Sequence, residues 1–131
     1  MINYFSKYKF VFYLFNTILI FLYLFPGSLL GCYLYNDCKI QPQLTADFII
    51  STNHLYAFFI LSVVGFFTYN KSNQLNFLII YLILLSIILE ILHLIIPSRG
   101  FELTDLFGNL IGVLIAIIIN YIFIKYEKFK N

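Results

Sequence analysis

Residues Glu90 to Gly112 read EILHLIIPSRGFELTDLFGNLIG and carry an acid, a histidine, an arginine and two further acids between long apolar runs. Two apolar segments meet here at a short polar hairpin, and each brings ionisable or amide side chains into what the flanking sequence marks as hydrocarbon. Ionisable residues inside a span are rare and normally face a partner or a water-filled cavity. The stretch therefore predicts a helical hairpin with a polar site at its closed end.

The rest of the chain supports that solvent. Of its 131 residues 62% are hydrophobic and 11% charged, against about a quarter charged in soluble domains. A chain this short cannot hide so much apolar surface from water. A bilayer core takes roughly 20 helical residues to cross. The apolar runs Phe10 to Tyr33, Asn53 to Tyr69, Leu75 to Ile96 and Leu103 to Ile124 thus predict four spans. They are too long and continuous for barrel strands. With no repeat or linker, residues 1–131 read as one all-α, polytopic membrane domain.

Lys and Arg accumulate on the cytoplasmic side. With both termini inside, Lys7, Lys9, Lys71, Lys125, Lys128 and Lys130 are cytoplasmic, and only Lys39 and Arg99 are outside. Asp37, Asp47, Glu90, Glu102 and Asp105 then fall in or beside the outer half. The net charge of +2 reflects this topology and gives no reason to expect nucleic-acid binding.

The first span opens on MINYFSKYKF and ends at Leu29-Leu30-Gly31-Cys32, which has the look of a lipoprotein cleavage box. The long apolar run favours an ordinary span, kinked or frayed by Pro26 and Gly27. Cys32 and Cys38 are the only cysteines. An oxidising outer face allows a disulfide, but two free thiols are the preferred reading. Ser51-Thr52-Asn53-His54 reads as an N-terminal cap cluster for the second span. His54 shares a helix face with Gly65 and so can face a close neighbour instead of lipid.

Topology then gathers the polar residues. His54 begins an inward-going helix, Glu90 and His93 end an outward-going one, and Asp105 begins the next. All lie at similar depth, with Arg99 and Glu102 in the hairpin above them. On the last helix Asp105, Asn109, Gly112 and Ala116 share one stripe. Gly108 and Gly112 form a small-xxx-small pair that admits another helix. Glu90 and His93 have the Glu-x-x-His spacing of carboxylate metal sites, with His54 and Asp105 as candidate further ligands. A di-metal site needs that motif twice and it occurs once, so no metal and no cofactor is assigned. Ser51, Ser98 and Thr104 show no pattern of an activated nucleophile.

A histidine opening the second span (His54), Glu90, and the run Pro97, Arg99, Asp105, Asn109 and Gly112 resemble the pattern of the VanZ-like family of small bacterial membrane proteins. The family often has Asp-Lys a turn before the histidine, where Ile50-Ser51 stand here, and Gln in place of His93. The resemblance implies a cell-envelope protein, in a family whose founding member is associated with low-level teicoplanin resistance. The expected function is an outer-facing pocket that engages a membrane lipid or lipid-linked envelope precursor. In it Arg99 contacts an anionic group, Glu90, His93, Asp105 and Asn109 shape the pocket, and His54 titrates near neutral pH. An enzyme reading uses the same residues, with His54 as general base oriented by Glu90 or Asp105. A third expectation is a helix-packing partner, another membrane protein or a second copy, seated on Gly108 and Gly112.

Overall fold

Pro26 sets how the chain begins to fold, because it has no N–H to continue a helix. Helix α1, Tyr4–Leu24, closes with the bond from Phe25 N to Phe21 O, and Gly27 then turns the chain with φ +75. A side chain at Gly27 would also strike the Cys38 carbonyl. Ser28 caps α2, Leu29–Tyr35, by accepting from Gly31 N, and Asn36 ends it in a left-handed conformation. In this computed structural model, which describes residues 4–69 and 73–130, α1 and α2 are bent by 78°. The span expected over Phe10 to Tyr33 is thus bent sharply at Pro26 and Gly27, where a kink or fray was expected.

Three further helices follow: α3, Thr52–Tyr69; α4, Leu75–Leu92; and α5, Leu103–Lys130. Each is long and apolar enough to cross a membrane, so the chain has three such helices, or up to four if the bent pair is one span. Among the described residues there is no strand. Helix α4 stops at Leu92 instead of reaching Ile96. His93, Leu94 and Ile95 bond three residues back, to Glu90, Ile91 and Leu92, tightening the chain ahead of Pro97. Helix α5 runs on past Ile124, taking the basic tail to Lys130 into the helix. Lys71, used in assigning orientation, lies outside the described residues.

The loop before α3 holds two surprises. Cys32 and Cys38 form a disulfide, against the free thiols expected. The α2 turn and the bond from Ser28 N to Cys38 O at 2.7 Å bring the two cysteines together, a fold-back that sequence spacing does not reveal. A bonded Cys32 is also not available for lipid attachment. Of the Ser51-Thr52-Asn53 cluster, Thr52 and Asn53 bond the loop, while Ser51 turns to α5, its N–H donating to Thr104 O at 3.2 Å. Asp47 accepts from Thr52 N at 2.8 Å, while the Asn53 side chain bonds Leu44 N and Pro42 O.

Lipid offers little hydrophobic drive for helices to associate, so close packing and interhelical hydrogen bonds must do it. Gly108 and Gly112 are where α5 meets α3. A Cβ on Gly108 would lie 2.5 Å from Ser51 O, and one on Gly112 would strike the Leu55 carbonyl. The small-xxx-small pair therefore packs the chain's own bundle, and Ala116 continues the buried line. That face is occupied by α3, which removes it as a seat for another protein. Helix α1 lies antiparallel to α3, with Phe12 against Gly65 and Tyr23 against His54. Phe58, Leu61, Leu82 and Val113 fill the centre, while Phe67, Phe77 and Ile118 point outward, as lipid-facing residues would.

Candidate functional site

One end of the bundle gathers the starts of α3 and α5 and the ends of α1 and α4. Helix starts favour negative groups and helix ends positive ones. Asp105 stands in the first turn of α5, and Arg99 donates from Nε to Phe25 O at 3.2 Å and from Nη2 to Leu22 O at 2.9 Å, the open carbonyls of α1. Burial lowers the Arg99 pKa, and the fields of Tyr23, Asp105 and Glu90 oppose that shift. Arg99 thus spends two donors on holding α1, where the sequence predicts a fork free for a ligand.

Below the hairpin the expected residues come together. His54, Glu90, His93 and Asn109 are all buried, Glu90 and Asn109 completely. His54 Nε2 is 3.4 Å from Asp105 Oδ2, and its Nδ1 is 4.0 Å from Glu90 Oε2. His93 Nδ1 is 3.4 Å from the same Glu90 oxygen. The other Glu90 oxygen accepts from Glu102 N at 3.0 Å, which ties the end of α4 to the hairpin.

Tyr23 is the residue that sequence reasoning missed. Its hydroxyl donates to Asn109 Oδ1 at 2.7 Å and lies 3.1 Å from His54 Nδ1. Its ring stacks on His93, and its carbonyl meets His93 Nε2 at 3.0 Å. Nothing distinguishes it in sequence from the other Tyr among 11, in a chain with 16 Phe.

Hydrogen-bond partners assign the ring protons. Asn109 Nδ2 donates to Ser86 O, so Oδ1 is the atom facing Tyr23 and His54. Oδ1 can only accept, so His54 Nδ1 carries hydrogen and a neutral His54 presents its Nε2 lone pair to Asp105. Likewise His93 Nε2 donates to the Tyr23 carbonyl, and a neutral His93 turns its Nδ1 lone pair to Glu90. Asp105 thereby joins the site as more than a helix cap.

Above these groups a cleft of about 220 Å³ opens between the α2 loop and the α4–α5 hairpin. Lys39 and Arg99 line it with Glu102, Asp105, Ser98 and His93. The disulfide brings Lys39 there, since Cys38 forms part of the same wall. Gly108, Gly112 and Ala116 stay out of the cleft and set the α3–α5 contact beneath it. No family model, curated protein or solved structure matches the chain.

Proposed function

We propose that the chain is a VanZ-like protein of the bacterial cytoplasmic membrane, with both termini inside. Its outer-facing cleft engages the anionic head group of a lipid or lipid-linked envelope precursor. The observation that carries this reading is the pairing of Lys39 and Arg99 on one polar cleft at the hairpin end of an otherwise apolar bundle. Two cations beside a cavity of this volume suit a phosphate, and Arg99 Nη1 is the guanidinium nitrogen not used on α1. Glu102 and Asp105 on the same rim suit hydroxyl or amine groups of the same molecule. Altered susceptibility to a glycopeptide such as teicoplanin is the phenotype that the family resemblance implies.

The test is lipid retention by the purified full chain, read by native mass spectrometry after mixing with phosphatidylglycerol or phosphatidylcholine. Preferential retention of the anionic lipid, lost in Lys39→Glu, is the expected result. Equal retention of both lipids, or no effect of Lys39→Glu, would sink the reading.

One observation favours a second reading. The His54–Asp105 pair borders the cleft, so a base held by a carboxylate could act on the bound molecule. Conversion of a lipid-linked substrate that stops in His54→Ala would favour this enzyme over a binding pocket.

A further inference from the structure

Three electron-pair donors converge beneath the cleft with no hydrogen among them when His54 is neutral. Asn109 Oδ1 takes the hydrogen of His54 Nδ1, leaving Nε2 as a lone pair 3.4 Å from Asp105 Oδ2. Glu90 Oε2 is fully buried and has no hydrogen-bond partner. One donor atom from each of His54, Glu90 and Asp105 lies within 4.8 Å of the others.

Such a cluster requires positive charge, either protons or a metal ion. The spacing separates the two. A charge-assisted N–H···O bond closes to about 2.7–2.9 Å, whereas the His54–Asp105 separation is 3.4 Å. Two ligands about 2.0–2.1 Å from a tetrahedral ion stand roughly 3.3 Å apart. The buried Glu90 oxygen points the same way, because its ring-nitrogen neighbours, His93 Nδ1 at 3.4 Å and His54 Nδ1 at 4.0 Å, stand further off than a charge-assisted bond would hold them.

We propose that His54, Glu90 and Asp105 bind one first-row divalent ion of the zinc type. Each ligand comes from a different helix, α3, α4 and α5. The surroundings match what metal ligands need. A ligating histidine usually donates its other N–H to an oxygen that fixes the ring, and Asn109 Oδ1 does this for His54. The second Glu90 oxygen is held by Glu102 N. Three protein ligands leave a fourth position for water or a ligand oxygen, and Asp105 lies on the cleft wall beside it. An ion there would polarise a bound water or phosphoryl oxygen. The assignment stands on these contacts and does not depend on the cleft being a head-group site.

The test uses the full, tag-free chain in detergent micelles with Zn²⁺ alone, followed by gel filtration and metal counting, and Co²⁺ as a spectroscopic probe. The disulfide keeps both cysteines from competing. The expected result is one Zn²⁺ per chain, a visible Co²⁺ band, and a thermal midpoint raised by Zn²⁺. Asp105→Asn, nearly isosteric, should keep the helical circular dichroism yet weaken binding at least tenfold, as should Glu90→Gln. Wild-type chain that retains no ion, or that binds no better than a folded Asp105→Asn variant, overturns the proposal.

Discussion

Tyr23 donates its hydroxyl hydrogen to Asn109 Oδ1 at 2.7 Å, joining residues 86 apart in sequence. The bond ties α1 to α5 at the level of His54, and the Asn109 amide continues it to the Ser86 carbonyl on α4. Tyr23→Phe should therefore cost about 0.6–2 kcal/mol, the range for interhelical hydrogen bonds in membranes. Asn109→Leu should cost more, because it removes at once the acceptor shared by Tyr23 and His54 and the donor to Ser86 O. Reversible unfolding in mixed micelles measures both, and equal stability of the two variants would contradict the shared role of Asn109.

The α3–α5 contact makes a sharper demand. At Gly112 an added methyl meets the Leu55 carbonyl, which is backbone and cannot rotate away. Gly112→Ala should destabilise by about 1–3 kcal/mol, the usual cost of overpacking. Gly100 has nothing within 4 Å of an added Cβ, so Gly100→Ala should stay within about 0.5 kcal/mol of wild type. The same unfolding assay compares them.

Arg99 holds two carbonyls at the end of α1 with a planar fork. Lysine offers a point charge and cannot reproduce that geometry. Arg99→Lys should release the last turn of α1, raising hydrogen exchange over residues 22–25 while exchange in α4 stays unchanged. Unaltered exchange at those residues would show that the fork is not what anchors them.

For Cys32 and Cys38, denatured but unreduced protein should show no reactive thiol, and reduction should expose both. Closing so short a loop is worth roughly 2 kcal/mol in the chain-entropy treatment, so reductant should lower the thermal midpoint.

Orientation has its own measurement. Phe48, in the loop before α3, and Phe129, near the end of α5, are 93% and 80% exposed. Cysteine placed at 48 should react with a membrane-impermeant maleimide added outside cells, and cysteine placed at 129 should not. The reverse pattern would invert the proposed topology.

Much of the site is legible in the sequence, because alternating helix direction alone sets His54, Glu90, His93 and Asp105 at one depth. Depth is a one-dimensional property of an apolar chain, and run length reports it directly. The α5 stripe was legible for a similar reason, since Asn109, Gly112 and Ala116 repeat with the period of a helix. The role of Arg99 was not, because its partners are backbone carbonyls that carry no side-chain signature.

The sequence by itself determined an all-helical, apolar chain with a polar hairpin at Glu90 to Gly112 and a glycine face on the last helix. Composition and periodicity are local, and they suffice for helix type, length and buried face. Only the tertiary structure decided that α1 breaks at Pro26 by 78°, that Cys32 bonds Cys38, and that Tyr23 completes the site. It also decided which lone pairs meet beneath the cleft. The places of Tyr23 and of the lone pairs depend on the rotation of one helix against another, and that rotation is set by contacts between residues far apart in the chain.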